Sequence, residues 1–350
     1  MDDSIKIYTP NEIDYQQWKD LVNNSSTATF FQSPEGYNFY ASLSFLSTFL
    51  VGVAQNGQLK GIVCGYIQAE MKGAIAYLSR RAIIPGGVLL ADNISDDALF
   101  MLLTYTKTYL SDKAIYIEIR NYKDFSNYKR VFQAAGYGYH PHFNIQVDTS
   151  HVSTAFSRLS QSKKRQVRKA EKLGLSWHIT KDYNDICAFY SLLESVYREK
   201  VKTPLFPVSF FQEVSKNDNG RIFVVKLHDI VVGGMACIHW QGRTTYEYFV
   251  CANKKLDHEY FISVYITWKA IEYAAINQCY YFDFMGAGKP DAAYGVREFK
   301  SKFGGNLVEF GRFRYVNQPW LFALGKIGVR MYGTVKKWKI NVNFHKKLQS

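Results

Sequence analysis

Hydrophobic and polar positions alternate through FLVGVAQNGQLKGIVCGYI (residues 49–67) and again through FVVKLHDIVVGGMACIHW (residues 223–240), each run broken by a short polar turn. Alternation at period two predicts half-buried strands, and Asn56-Gly57 at the first break predicts a hairpin. Downstream of the first run, AIAYLSRRAII continues the strand pattern. SDDALFMLLTYTKTYL then has helical spacing behind a Ser95 cap and two acids, and AIYIEIR returns to strand. After the second run the order recurs: TTYEYFVCAN reads as strand, HEYFISVYITWKAIEYAAINQ as helix and YYFDFMG as strand. A repeated order of this kind is most simply a duplicated α/β unit with mixed sheets. The expected division is residues 1–150 for a first domain, 151–318 for a second, and 319–350 for a basic amphipathic tail, with the boundary just after the strand FNIQVD.

Length and composition fit this picture. A chain of 350 residues, 47% hydrophobic and 21% charged, is long enough for two ordinary cores and carries no disorder signature. Its formal charge of +13 points to a polyanionic partner such as nucleic acid, an anionic lipid surface or a phosphorylated substrate. The five cysteines are scattered through apolar runs without metal-ligand spacing, as expected of thiols in a reducing compartment. No secretory signal pattern and no apolar run of membrane-spanning length is present, so a cytoplasmic protein is expected.

The charge is concentrated in FSRLSQSKKRQVRKAEKLG. Phe156, Leu159, Val167, Ala170 and Leu173 fall on one side of a helix, and Lys163, Lys164, Arg165, Arg168 and Lys169 are expected on the other, with Glu171 the one acid in this stretch. Such a face suits phosphates, of RNA or of a diphosphate, since Arg offers a fork and Lys a point charge.

Several motifs in order resemble the Fem-type (FemAB) peptidyltransferases, a branch of the GNAT superfamily with two tandem GNAT-like domains. They are ATFFQSPEGY, RRAIIPGG, SKKRQVRKAEKLGL, FYSLLESVYREK, and YYFDFMGAGK followed by VREFKSKFGG. The lack of a long coiled-coil insertion makes the chain similar to compact members. The resemblance implies transfer of an aminoacyl group from aminoacyl-tRNA to an amine of a nucleotide-linked or lipid-linked peptidoglycan precursor, with no metal or bound cofactor and no DNA partner. It also implies that Phe299 and Lys300 match the family's Phe-Lys pair, whose lysine stabilises charge as the ester is attacked. An alternating strand would send the two side chains to opposite faces. Arg198, with Lys202 one turn on, is the implied acceptor diphosphate site, and Tyr248 the implied strand tyrosine, with Tyr246 on the same face and Tyr260 near as alternatives. Where the family carries a basic residue after FFQSPE, this chain has Tyr37, Asn38, Phe39 and Tyr40.

Asp283 is a candidate base for the attacking amine, with Glu247 and Glu298 behind it; an equal reading makes Asp283 an anchor for the following loop. Two rival functions keep the fold. One is an acyl-CoA-dependent N-acyltransferase acting on an amino lipid or amino sugar. Against it, the segment where GNAT enzymes carry a glycine-rich pyrophosphate loop reads CANKKLDHEYF. The other is a non-catalytic RNA- or membrane-binding scaffold. The tail, with Trp320 and Trp338 among lysines, is expected either to lie on an anionic membrane or to dock on the protein.

Overall fold

The computed structural model describes residues 4–69, 79–201, 205–291 and 294–325. Its strands in chain order are β1 (Ile5–Tyr8), β2 (Ser47–Gln55), β3 (Gln58–Gln68), β4 (Arg81–Gly86), β5 (Leu89–Leu90), β6 (Tyr116–Asn121), β7 (Gly138–His140), β8 (Phe143–Asp148), β9 (Ser176–Ile179), β10 (Gly220–Leu227), β11 (Ile230–Trp240), β12 (Thr244–Ala252), β13 (Tyr281–Asp283), β14 (Asn306–Glu309) and β15 (Arg312–Val316). They form two mixed sheets, ordered β1-β2-β3-β4-β6-β15-β7, with β5 paired to β3, and β14-β8-β13-β12-β11-β10-β9.

The expected hairpin is present: β2 and β3 pair antiparallel, and Asn56 and Gly57 both take positive φ, the conformation that a two-residue hairpin turn of this kind requires. In each sheet a hairpin leads into a third strand, a fifteen-residue helix and a strand parallel to the third. Helix Asp96–Leu110 buries Leu99, Leu102 and Leu103 in a core with Val51, Ile84, Ile117 and Phe313. Helix Ile262–Ile276 buries Ile266, Ala270 and Ile271 with Ile145, Val147 and Phe282. Burying these apolar faces is the main stabilising contribution in each half.

The two sheets do not respect the expected boundary after residue 150. β8 precedes it in sequence yet lies between β13 and β14 in the second sheet, and β15 returns to lie between β6 and β7 in the first. The exchange is reciprocal, each half filling the same gap in the other. A reading that assigns strands by sequence neighbourhood misses it, because that rule holds for most consecutive strands and fails where a strand crosses over. The physical reason is visible in the side chains: Ile145 and Val147 belong to the second core, and Phe313 to the first.

A third cluster fills the seam between the halves with Phe30, Phe31, Tyr40, Tyr66 and Tyr122 on one side and Phe210, Phe211, Tyr246 and Tyr248 on the other. Edge-to-face pairs such as Phe31 with Tyr246, at 5.0 Å between ring centres, add to the burial. The tail is described only to residue 325; within that stretch Leu321 is buried and Phe322 lies 5.2 Å from the Tyr116 ring, while Trp320 is exposed. Trp338 falls outside the described residues.

Candidate active site

β12 and β13 are paired only where Thr244–Tyr246 faces Tyr281–Asp283. Beyond that point β12 runs on to Ala252, while the chain after Asp283 turns away through Met285, Gly286 and Gly288, all at positive φ. A bulge opposite Ala236 and Cys237 leaves Tyr248 without a cross-strand partner and sharpens the divergence. The result is a fork with unpaired backbone on either side.

Lys300 occupies this fork. It comes from helix Gly295–Ser301, not from the expected strand; GVREFKS holds no proline after its glycine start and carries good helix formers, so local propensity favours a helical turn. Phe299 and Lys300 are therefore separated by about 100° around the helix rather than set on opposite faces. Phe299 packs on Phe303 at 5.2 Å, and Lys300 is buried. Its Nζ donates to the carbonyls of Phe284 at 2.8 Å and Gly286 at 3.0 Å, and pairs with Glu247 Oε1 at 3.0 Å. An ammonium has three N–H bonds, so these acceptors use all of them. Lys300 thus ties β12 to the loop that leaves β13. After this helix Gly304, at φ +79°, turns the chain where a Cβ would lie 2.5 Å from the Arg158 carbonyl oxygen.

Glu247 is buried, and burial raises its pKa while the Lys300 charge opposes the rise. Asp283 is also buried, with its pKa raised by burial against three donors: Asn144 Nδ2 at 2.7 Å, Gln146 Nε2 at 2.8 Å and the Met285 amide at 2.7 Å. A carboxylate so fully engaged is a poor proton acceptor and a good fastening for the loop. Glu247 has a single side-chain partner among the described residues, Lys300.

Tyr248 points to the other side of β12, where its hydroxyl meets that of Tyr40 at 3.0 Å across the seam. Burial pushes both phenols well up. Arg198 is exposed on a π-helical turn, Tyr197–Val201, with no polar contact to another described residue. Its neighbour Tyr197 has a pKa raised to about 12, by burial and then by Tyr294 at the entry to the Lys300 helix. Lys202 falls outside the described residues.

The basic segment forms helix Gln161–Lys172, capped by the Ser160 hydroxyl, and its Ser160 amide donates to the Lys302 carbonyl at 2.9 Å. Arg165, Arg168 and Lys169 are exposed; Lys164 is half-buried, with its Nζ donating to the Ser157 carbonyl. Lys163 departs from expectation. It shares the inward face with Val167 and Ala170, four and seven residues on, and its Nζ sits 4.2 Å from the Phe299 ring centre. Burial, then Lys302, push it down to about 8. The outward-facing basic set is therefore smaller than the sequence implied.

Both long crossover helices begin at a carboxylate. Asp257 accepts the Ser263 amide at 2.6 Å and the Ser263 hydroxyl at 2.5 Å at the start of helix Ile262–Ile276. Helix Asp96–Leu110 has Asp96 and Asp97 in its first turn. A helix N-terminus attracts anions, and here the chain supplies its own.

Residues 157–301, within the forked half, match the family described as acetyltransferase (GNAT) domain. The whole chain resembles the solved structure of FemX, with 14% identity, 91% of this chain and 99% of that chain covered, and a TM-score of 0.68. The fold is a tandem GNAT fold of Fem type. A tandem GNAT protein from the clavulanic acid biosynthesis pathway is similar at TM-score 0.57, with 10% identity over 90% of this chain and 99% of that one. The C-terminal domain of a putative lysylphosphatidylglycerol synthetase from Agrobacterium fabrum gives TM-score 0.55, with 10% identity over 90% and 95%. No curated protein matches the sequence. Among the described residues, no helix of this Fem-type fold is long and apolar enough to cross a membrane.

Lys300, Glu247 and Asp283, all singled out from the sequence, lie together at the fork. Sequence reasoning missed Glu118, Arg120, Arg312 and Arg314 altogether, although their signal was present: YIEIR and RFRYV alternate charged with apolar residues at period two.

Proposed function

We propose that the protein transfers an aminoacyl group from aminoacyl-tRNA to an amine of a peptidoglycan precursor, with the fork of the second domain as its reaction centre. The observation that carries this reading is the buried Lys300 ammonium, held between Glu247 and two loop carbonyls where β12 and β13 part. The acceptor amine attacks the ester carbonyl carbon, a C–N bond forms, and the C–O bond to the tRNA ribose breaks. Glu247 takes the proton from the amine and returns it to the leaving ribose oxygen. Lys300 holds the loop and places positive charge beside the developing oxyanion; exchange of one of its carbonyl partners for the oxyanion keeps its three hydrogen bonds. The exposed Arg165, Arg168 and Lys169 suit the tRNA backbone, and the exposed Arg198 suits an acceptor phosphate. Support comes also from the relatives' own names, which include FemX and a lysylphosphatidylglycerol synthetase.

Acyl-CoA is the rival donor, favoured by the GNAT family match. The carboxylates at both crossover-helix starts weigh against it, since each sits where a CoA pyrophosphate would be received. Purified protein incubated separately with mixed charged tRNA and with acyl-CoA, each with a lysine-containing muropeptide acceptor, decides by product mass. An aminoacyl increment from charged tRNA alone is the expected result; product from acyl-CoA alone overturns the donor assignment.

A further inference from the structure

Strand β15 ends at Val316, and the two residues after it fasten the chain to the end of helix Asp96–Leu110. The amides of Asn317 and Gln318 both donate to the Ile115 carbonyl, at 2.9 and 3.0 Å. Asn317 Nδ2 donates to the carbonyls of Leu110 at 3.0 Å and Ala114 at 2.9 Å. Residues 319–325 are then helical. One side of this turn docks on the protein: Leu321 is buried, Phe322 meets the Tyr116 ring edge-on, and the Arg314 guanidinium lies 5.8 Å from the Phe322 ring centre. The other side does not dock. Trp320 is 61% and Leu324 56% exposed, and a spacing of four residues puts them on the same side of the helix.

A lone exposed apolar side chain is ordinary, as with Ile230 at the start of β11, 68% exposed. Trp320 and Leu324 differ in their company. The exposed Arg80 accepts the Ile115 amide on its carbonyl at 2.8 Å, so it is held at the same backbone group that anchors Gln318. Lys113 lies just beyond the helix end, its Nζ donating to the Tyr109 carbonyl at 2.8 Å. Asp112 is an exposed acid beside them. Residues 326–350 then bring seven Lys and Arg and no Asp or Glu. An RNA would satisfy these cations and leave Leu324 in water, and one helical turn is far smaller than the face a stable protein partner needs. A bilayer takes both features, with the indole at headgroup level and cations beside the lipid phosphates.

We infer that this face seats the protein on an anionic lipid bilayer, with Trp320 and Leu324 entering the interface and Arg80 and the cations that follow in sequence meeting the headgroups. Two apolar side chains alone hold a protein on a membrane only marginally, so the charge is the second signal that seating requires. Leu321 and Phe322, packed inward, fix the orientation in which the pair is presented. A protein held this way meets a lipid-linked acceptor rather than a nucleotide-linked one. That choice of acceptor rests on the function proposed above, whereas vesicle binding needs neither donor nor acceptor, so failure of transfer and failure of this surface are separate results.

The test is co-sedimentation of the full chain with vesicles of phosphatidylcholine alone and of phosphatidylcholine mixed with phosphatidylglycerol. The protein is expected to partition onto the anionic vesicles, about tenfold or more tightly than onto the neutral ones, and to be released by added salt. The double variant Trp320→Ser, Leu324→Ser is expected to bind anionic vesicles about tenfold more weakly, with near-UV circular dichroism reporting the fold. Trp320→Phe, which keeps an aromatic ring, is expected to retain most of the binding, and Ile230→Ser all of it. Should the double variant unfold, Leu324→Glu alone, which sets a negative charge against the headgroups, is expected to weaken binding in its place. A protein that ignores anionic vesicles, equal binding to the two kinds of vesicle, or unchanged binding by a folded double variant or Leu324→Glu protein overturns the surface. A dimer in solution that dissociates in the double variant overturns the bilayer assignment in favour of a second copy of the chain.

Discussion

In the first half β4 and β6 stay paired in parallel from Arg81–Gly86 to Tyr116–Asn121, whereas β12 and β13 of the second half part after Tyr246 and Asp283. The ladder that stays closed admits no side chain between its strands, and the charged groups of this half gather instead on the open sheet face, where three arginines surround Glu118. The ladder that opens admits Lys300 and Glu247. One architecture, used twice, thus yields a charged platform in one copy and a buried ion pair in a fork in the other. The exchanged strands couple them: β15 brings Arg312 and Arg314 to the platform, and β8 brings Asn144 and Gln146 to Asp283 beneath the fork.

The comparison breaks most visibly at Glu118. Glu118→Gln removes the one carboxylate among the three guanidiniums, and is expected to destabilise the fold by about 3–5 kcal/mol in urea unfolding. Burial alone would raise the Glu118 pKa, but the arginines win and hold it well below the ordinary 4.5. A depressed carboxylate stabilises fully above the unfolded value, and that contribution is lost as pH falls through the folded one. Wild type should therefore lose stability on the acid side of about pH 4.5 more steeply than Glu118→Gln, which has no such group to protonate. Equal slopes would remove the cluster as a source of acid lability.

In the fork, Glu247→Gln is expected to lower transfer about a hundredfold with the fold retained. Because burial raises the Glu247 pKa and the base must be ionised, the wild-type rate should climb with pH through that raised value, and the Gln variant should lose this limb of the profile. A profile identical in both proteins would take the proton-accepting role away from Glu247. Arg165→Gln with Arg168→Gln tests the exposed helix face. Each lost phosphate contact should reduce the salt slope of tRNA binding by about one, with weakening of severalfold and little effect on acceptor binding. An unchanged slope would place the tRNA elsewhere.

Much of the architecture was legible in the alternation. The hairpin with Asn56-Gly57, the Ser95 cap, and strands β10 to β12 follow from period and turn chemistry. The strand exchange was not, because it depends on which edge FNIQVD and RFRYV find in space, and neither carries a local mark of that. Lys300 was legible as a residue and not as geometry, since a seven-residue helix and a short alternating strand have similar sequences. Lys163 fell on the wrong face because its type was weighed above its spacing to Val167 and Ala170. The arginine platform was written in period two but split between segments whose contacting residues lie 194 to 196 positions apart, and only the pairing of β15 with β6 joins them.

The central claim is that the fork, and not the platform, is the reaction centre. Its most direct test is the mass of the acceptor after incubation with charged tRNA and wild type, Lys300→Met or Lys302→Met, with folding verified for each. Lys302 is exposed and pairs with Glu298, so it controls for the loss of a lysine from the same helix end. The account predicts an aminoacyl increment with wild type and Lys302→Met, and a rate about a hundredfold to a thousandfold lower with Lys300→Met. A folded Lys300→Met protein as fast as wild type would contradict it.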